Sequence, residues 1–179
     1  DLVTVSLLDA LAMENFGLLV FRQKYLLVNE RTPIRLKQRI ARLICHEIGH
    51  QWFGNLVSIQ WWKYLWLKEG FARFLEYALV TSFYPHWNYW THFSYDIYAR
   101  AMEMDEESYT HPVECQVTNA TEIQTIFDSI SYGKGASIFR MLIHFIGQDV
   151  MWRGLAHFIR SHAYGAARTE DLWASFSHV

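Results

Sequence analysis

Short apolar runs occupy the first 31 residues of the chain, and their spacing predicts strands. Residues 2–8 alternate imperfectly between apolar and polar side chains, and residues 17–28 are rich in residues that favour strands. Residues 10–15 interrupt this pattern, so we expect them at a sheet edge or in a turn. Residues 1–31 are therefore interpreted as a strand-rich edge.

A helical period replaces the strand pattern after residue 31. Thr32 and Pro33 predict a helix start, with the threonine as N-cap and the proline in the first helical position. Apolar side chains then recur at roughly amphipathic spacing as far as Ile44. This pattern predicts a helix that continues to His50, before the glycine at position 54.

Helices are also predicted for most of the remaining chain. An extended piece is expected at residues 56–62 and an irregular loop at residues 107–120. The other predicted helices cover residues 64–83, 85–106, 122–128, 135–146, 149–162 and 169–176. Because no repeat or low-complexity linker interrupts the chain, residues 1–179 are expected to form one α+β unit, mostly α, with the helical part at residues 32–179.

Composition excludes several classes of protein. With 51% hydrophobic residues among 179, the chain can bury a sizeable core. The net charge of -2 and the lack of a basic run argue against a nucleic-acid partner. No apolar run reaches the ~18 residues that a membrane-spanning helix needs. The two cysteines do not suggest a disulfide framework.

The strongest chemical signal is the sequence His46-Glu47-Ile48-Gly49-His50. Residues four apart lie on one face of a helix, so both imidazoles can reach one metal ion. Glu47 lies about 100° around the helix from His46, close enough to hold a water molecule without being a ligand. The alternative interpretation is a helix that carries two surface histidines.

A third ligand is available on the next predicted helix. Eighteen residues separate His50 from Glu69, which would allow an antiparallel helix to present its carboxylate to the same ion. A zinc ion bound there would lower the pKa of a water molecule to about 7, and Glu47 would take the proton as general base. The neighbouring Cys45 points away from the ligand face and is expected to pack in the core.

Several ordered motifs identify a resemblance. The segments HEIGHQWFGNLV at residues 46–57 and WLKEGFA at residues 66–72 resemble the gluzincin aminopeptidases. Residues 12–15, AMEN, resemble the GAMEN exopeptidase motif of that family, and residues 127–137, FDSISYGKGAS, resemble the segment that carries its catalytic tyrosine. The segments THPVE at residues 110–114 and TEDLW at residues 169–173 look most like the puromycin-sensitive branch.

The resemblance implies a role for each matching residue of the zinc centre. It implies that His46, His50 and Glu69 bind one zinc ion and that Glu47 is the general base. It also implies that Tyr132 donates a hydrogen bond to the oxyanion of the tetrahedral intermediate. Without the resemblance, Tyr132 would be interpreted as an ordinary core tyrosine.

The AMEN segment is implied to bind the end of the substrate. Glu14 would pair with the free α-amine of a peptide, which makes the site an exopeptidase and rejects an acylated amine. The other residues of the substrate-binding motif are Ala12, Met13 and Asn15. Taken alone, Glu14 would be interpreted as a solvated residue beside a turn.

Leu11, Lys68 and Gly133 depart from the family pattern, the last where serine is common after the tyrosine. Leu11 stands where the family has the glycine of GAMEN, and its branched side chain is expected to narrow the first subsite or alter the backbone path. Lys68 stands where the family usually has an asparagine before the zinc-binding glutamate. Its charge is expected to shift metal affinity without abolishing it.

The fold implied by the resemblance is an incomplete, thermolysin-like zinc peptidase catalytic domain. The function implied is a zinc aminopeptidase that acts on short peptides, within a parent protein that adds an N-terminal β domain and a C-terminal helical domain. The branch resemblance suggests the cytoplasm, although residues 119–121 form a glycosylation sequon that would matter in a secreted parent. Two alternatives stay open: a related zinc epoxide hydrolase, and a non-catalytic member or fragment that binds peptides.

Overall fold

A three-stranded sheet forms the N-terminal edge of the protein. The structure, a computed structural model, describes residues 1–179. Strands β1 (Leu2–Val5), β2 (Ala12–Met13) and β3 (Leu19–Arg22) lie in the order β1-β3-β2. Strand β1 is parallel to β3, and β2 is antiparallel to it, with Ala12 opposite Phe21. The predicted interruption at residues 10–15 therefore contains an edge strand.

The strands are shorter than their hydrophobic patterns predict. Strand β3 ends at Arg22, where a 3₁₀ turn (Gln23–Tyr25) begins. The Arg22 guanidinium donates to the carbonyls of Leu8 and Asp9 at 2.6 and 2.7 Å. These bonds hold the loop before β2 against β3.

Two long helices form the centre of the molecule. Helix α1 (Ile34–His50) packs against α2 (Leu65–Phe83), which a 3₁₀ turn (Trp62–Tyr64) precedes. Gly49 permits close contact, because a Cβ at that position would lie 3.0 Å from Leu75 Cδ2. The gain in packing offsets the roughly 1 kcal/mol that glycine costs inside a helix.

The predicted N-cap of α1 is wrong. Pro33 occupies the cap position, and no side chain caps the helix. The Thr32 hydroxyl instead accepts a hydrogen bond from the backbone N–H of Asn29 at 2.9 Å. A local turn therefore uses the oxygen that the helix would need.

A second, smaller sheet joins the middle of the chain to its C-terminal part. Strand β4 (Val57–Ile59) pairs in parallel with β5 (Gly165–Ala167). The sharp turn between α1 and β4 passes through Gly54, whose φ of 124° suits glycine. The loop that follows α1 is thereby tied to the C-terminal part of the chain.

The region predicted as one helix at residues 85–106 is segmented. It contains a 3₁₀ turn (Pro85–Trp87), helix α3 (Tyr89–Phe93), a π turn (Ser94–Tyr98) and helix α4 (Ala99–Asp105). Asn88 interrupts the region with a left-handed backbone, at φ 50°. Asparagine tolerates that conformation better than most residues do.

The C-terminal helices follow the predicted pattern more closely. They are α5 (Ala120–Ile123), α6 (Gly135–Ile146), α7 (Gln148–His162) and α8 (Thr169–Phe176). A 3₁₀ turn (Gln124–Ile126) follows α5, and a π turn (Ile130–Lys134) precedes α6. The protein is thus an α+β unit that is mostly helical. None of its helices combines the length and the apolar character needed to cross a membrane.

The main core surrounds the buried face of α2. Its largest buried side chains include Trp66, Phe74, Tyr77 and, from α6 and α7, Phe139 and Phe158. Aromatic rings in contact dominate this cluster. The core therefore fixes α2, which carries one of the candidate metal ligands.

Of the three tryptophans near the start of α2, only Trp66 is fully buried. Trp66 is 2% exposed, and Trp61 is 53% exposed with its indole N–H on the Val117 carbonyl. Trp62 is partly buried beside Phe127.

Candidate metal centre and cleft

Three side chains from α1 and α2 converge on one point. His46 Nε2 and His50 Nε2 lie 3.1 Å apart, and Glu69 Oε2 lies 3.5 and 3.3 Å from them. All three residues are buried, and their ligand atoms lie within 4.8 Å of one another. One turn of α1 separates the histidines, and α2 supplies the carboxylate.

The outer nitrogen of each imidazole, Nδ1, faces an oxygen acceptor. His50 Nδ1 lies 2.9 Å from the carbonyl oxygen of Phe53, which can only accept, so this nitrogen carries the proton. His46 Nδ1 lies 3.1 Å from Glu76 Oε2, an ion-pair distance without hydrogen-bond alignment. A neutral tautomer with its proton on Nδ1 in each ring would leave two Nε2 lone pairs and a carboxylate oxygen facing one another. Two imidazoles and a carboxylate are donors typical of catalytic zinc.

Glu76 supports the centre from behind His46. Its carboxylate also receives Arg73 Nη1 at 2.8 Å and lies 3.8 Å from Arg42 Nη1. Burial by itself would raise the pKa of Glu76, but Arg73, His46 and Arg42 outweigh it and lower the pKa to about 2. The negative charge of Glu76 therefore faces His46 Nδ1 and orients the imidazole ring.

Glu47 differs from the acidic residues around it. It is 4% exposed, and burial raises its pKa, with the carboxylates of Glu14 and Glu69 acting in the same direction against the two histidines. By contrast, the pKa of Glu69 is held well below its usual range, because His50, His46 and Lys68 outweigh its burial. Neighbouring carboxylates with opposite shifts are typical of sites that divide acid and base roles.

The Tyr132 ring lies beside the candidate ligand His46. The two rings stack with centroids 6.1 Å apart. The Asp128 carboxylate accepts from the backbone N–H groups of Ile130 and Ser131 at 2.9 and 3.0 Å, which fixes the start of the π turn that carries the tyrosine. Burial and the carboxylate of Glu69 raise the pKa of Tyr132, so its hydroxyl stays protonated as a donor.

The AMEN segment is attached to the end of α1. The backbone carbonyl of Glu14 accepts from Asn55 Nδ2 at 2.7 Å and from Gln51 Nε2 at 3.3 Å. Gln51 Oε1 in turn accepts from the N–H of Gly17 at 3.0 Å. These bonds place the Glu14 carboxylate beside Lys68, whose Nζ is 2.7 Å from Glu14 Oε1. Lys68 outweighs burial and lowers the pKa of Glu14.

A cleft of about 480 Å³ opens beside His46, Glu47 and Tyr132, and Glu14, His50 and Glu69 lie outside its lining. Its volume lies within the range of sites that hold small ligands, about 300–1,000 Å³. Of the AMEN segment only Ala12 lines it, whereas Met13 and Asn15 are exposed. The remaining lining residues include His46, Glu47, Glu76, Leu11, Leu43, Phe127, Asp128 and Tyr132.

The residues that support the site were not predicted from the sequence. Glu76 follows Glu69 by seven positions, or two turns of α2, so helical spacing was the available signal. Gln51 and Asn55 lie within the segment that carries the zinc motif, but nothing local indicates that they hold the Glu14 carbonyl. Neither Cys45, which is buried, nor any other histidine joins the three convergent ligands.

Comparison with known proteins gives a consistent similarity over the whole chain. The profile of the Peptidase family M1 domain matches residues 1–179. Aminopeptidase M1-D of Oryza sativa subsp. japonica is 46% identical over 180 residues, which cover 100% of this chain and 20% of the relative. Aminopeptidase M1 of Arabidopsis thaliana is 45% identical over 98% of this chain and 20% of its own length.

A third relative shows similar identity and coverage. Leucyl aminopeptidase of Saccharolobus solfataricus is 42% identical over 94% of this chain and 21% of its own length. The chain therefore spans about one fifth of the length of the curated relatives that it matches.

Proposed function

Since the chain belongs to peptidase family M1, we propose that it forms the catalytic centre of a zinc aminopeptidase that releases single N-terminal residues from peptides. The observation that carries the proposal is the convergence of His46, His50 and Glu69 beside a buried Glu47. The relatives' names, which include aminopeptidase and leucyl aminopeptidase, support the same activity.

In this proposal His46, His50 and Glu69 hold one zinc ion. When bound, the ion supplies Lewis-acid chemistry and lowers the pKa of a water molecule to about 7. The oxygen atoms of Phe53 and Glu76 that face the two Nδ1 atoms favour the tautomers whose Nε2 atoms are free as ligands.

The other side chains act on the substrate and on protons. Glu47 accepts the proton of the attacking water at its carboxylate and later delivers it to the leaving amine, and its raised pKa suits both steps. Tyr132 donates its hydroxyl proton in a hydrogen bond to the developing oxyanion. Glu14 receives the α-ammonium of the peptide, assisted by the neighbouring motif residues Ala12, Met13 and Asn15, and sets the exopeptidase register.

The domain organisation follows from the same proposal. Residues 1–31 supply the edge that carries the amine anchor, and residues 32–179 supply the metal-binding part. The coverage of one fifth of the relatives' length supports a parent protein with further domains that complete the substrate channel. The cytoplasmic location suggested by the branch resemblance belongs to the proposal as well.

The test compares a leucyl anilide that has a free amine with its N-acetylated form, using the intact protein that contains this chain. We expect cleavage of the free-amine substrate only, its loss with a zinc chelator and its return with added zinc. Glu14→Gln should lower kcat/KM for the free-amine substrate on the order of 10²-fold, because it removes one partner of a charge pair. Glu30→Gln, at an exposed position, is the matched control.

Each alternative outcome has a specific meaning. Equal cleavage of both substrates would contradict the role of Glu14 and leave the metal centre in place. Hydrolysis of an epoxide without hydrolysis of any aminoacyl amide would favour an epoxide hydrolase. Stoichiometric zinc without turnover, unchanged by Glu47→Gln, would indicate a peptide-binding module.

A further inference from the structure

Lys68 places a cation beside the carboxylate that is proposed to bind the substrate's amine. Its Nζ lies 2.7 Å from Glu14 Oε1 and 3.1 Å from Glu69 Oε1. The other oxygen of Glu69, Oε2, is the one that faces His46 and His50. A single ammonium group therefore links the proposed amine anchor to the outer oxygen of a candidate metal ligand.

The Lys68 side chain is held in this position along its length. It projects from α2 and is 16% exposed. The turn at Gly54 packs against its stem, because a Cβ on that glycine would lie 3.3 Å from Lys68 Cδ. On the other side, Asn55 and Gln51 fix the backbone of Glu14. The ion pair therefore forms between two positioned groups, and little conformational entropy opposes it.

A peptide's α-ammonium would require the same carboxylate. Glu14 carries one negative charge, and Lys68 already balances it at hydrogen-bond distance. Two ammonium groups on one carboxylate lie within a few ångströms of each other, and their repulsion is strong in a partly buried site. Glu69 offers Lys68 a second partner, so the lysine can yield Glu14 without losing every ion pair.

We propose that Lys68 is a specificity-determining residue, which competes with the substrate's α-ammonium for Glu14 and so sets how strongly the site distinguishes a free from a blocked N-terminus. The inference rests on the proposed role of Glu14 as amine anchor. When a peptide binds, Lys68 gives up its contact with Glu14 and keeps its contact with Glu69. The affinity of the site for the α-ammonium is therefore lower than Glu14 alone would provide. A neutral residue at position 68 removes the competitor and leaves the anchor.

The test measures binding directly in the intact, zinc-loaded protein with Glu47→Gln, so that no ligand is hydrolysed. Calorimetry compares a dipeptide amide with its N-acetylated form, and zinc content is measured in parallel. Adding Lys68→Gln should lower Kd for the free-amine ligand on the order of tenfold, with the acetylated ligand and the zinc content unchanged. Lys68→Arg keeps the charge and should retain the original ratio of the two Kd values. Lys63→Gln, at a lysine whose Nζ lies over the Tyr64 ring and not beside Glu14 or Glu69, is the matched control.

The outcomes separate this inference from the proposed function. If the Glu47→Gln protein favours the free amine but Lys68→Gln leaves the ratio of Kd values unchanged or reduces it, the competition model is wrong and the anchor survives. Loss of zinc in Lys68→Gln would mean that the lysine acts by supporting the candidate ligand Glu69, and this result would also overturn the inference. If the Glu47→Gln protein binds the two ligands with equal Kd, and adding Glu14→Gln changes neither Kd value, then both the amine-anchor role of Glu14 and the competition by Lys68 are wrong.

Discussion

Individual carboxylates in this site have very different surroundings. Glu76, Glu69 and Glu14 each lie beside a cation, and the pKa of each is lowered despite burial. Only Glu47 has its pKa raised, because burial outweighs the two histidines near it. These opposite directions agree with the proposal that Glu47 exchanges protons while the other three carry permanent charge.

Replacing Glu76 should weaken metal binding without touching a ligand. In Glu76→Gln the negative charge that faces His46 Nδ1 is lost, so the imidazole is less basic and its orientation is less fixed. We expect zinc affinity to fall about 10–100-fold, measured by competition with a chromogenic chelator. Glu103→Gln, an exposed position on α4, should leave the affinity unchanged. Equal affinities in the two variants would contradict the support role of Glu76.

Between elements, the position of α2 depends on a contact made by two glycines. A Cβ added to Gly70 would lie 2.9 Å from the Cα and carbonyl carbon of Gly135, at the start of α6. Gly70 follows the candidate ligand Glu69 directly, and α6 follows the π turn that carries Tyr132. The close approach of two backbones thus brings the helix that carries the carboxylate against the segment that carries the tyrosine.

Filling this contact should destabilise the protein. In Gly70→Ala the methyl group meets backbone atoms that cannot rotate away, so we expect a loss of about 1–3 kcal/mol from overpacking. Thermal unfolding of the intact protein should show a Tm several degrees lower. Ser82→Ala, exposed on the same helix, is the control and should change stability by less than about 0.5 kcal/mol. An unchanged Tm in Gly70→Ala would show that the contact between α2 and α6 can widen enough to admit a methyl group without loss of stability.

The stability of the first turn of α8 should depend on pH. Asp171 Oδ2 accepts from the backbone N–H of Arg168 at 2.8 Å, and this bond is the main reason that the pKa of Asp171 is lowered from its ordinary 3.8. A lowered folded-state pKa means that the stabilisation is present above pH 3.8 and is lost as the pH falls through the folded-state value. Capping interactions of this kind contribute about 0.5–2 kcal/mol.

Hydrogen exchange measures this effect locally. Amides of α8 should exchange faster in Asp171→Ala than in the unaltered protein at pH 6, and the two rates should converge as the pH falls below 3.8. Comparing both proteins at each pH removes the intrinsic dependence of exchange on pH. A rate difference that persists at low pH would mean that the carboxylate is not the stabilising group.

At the scale of the whole molecule, the candidate metal centre links the two central helices, α1 and α2, which also pack against each other. Two candidate ligands lie on α1 and the third on α2, while Gln51 and Asn55, just after α1, bond the AMEN segment. A ligand that binds only the folded state stabilises it, by about 2.7 kcal/mol at 100 times Kd. Zinc is therefore expected to contribute to stability as well as to activity.

Removal of the metal should accordingly lower the Tm of the intact protein. We expect the Tm to fall in a zinc chelator and to rise again with the concentration of added zinc, followed by calorimetry. His50→Ala should abolish this zinc dependence, whereas His86→Ala, at an exposed histidine, should preserve it. A Tm that ignores zinc in the unaltered protein would argue against a metal bound across α1 and α2.

Much of the secondary structure was determined by local sequence. The amphipathic period predicted α1, α2, α6, α7 and α8 to within a few residues, because turns of one helix repeat a pattern over nearby positions. The four-residue spacing of His46 and His50 likewise determined that both imidazoles share a face. The family could be identified from ordered motifs, and the profile match confirms it.

Only the tertiary structure decided which distant groups meet. The Thr32 hydroxyl bonds to Asn29 instead of capping α1, and Asn88 breaks the helix predicted at residues 85–106. The pairing of Lys68 with Glu14 crosses 54 positions of sequence. Local propensity carries no information about such contacts, because they depend on how α1, α2 and the sheet edge pack. The sequence by itself determined the donors and their helices, and the packing of those helices decided which charges face one another.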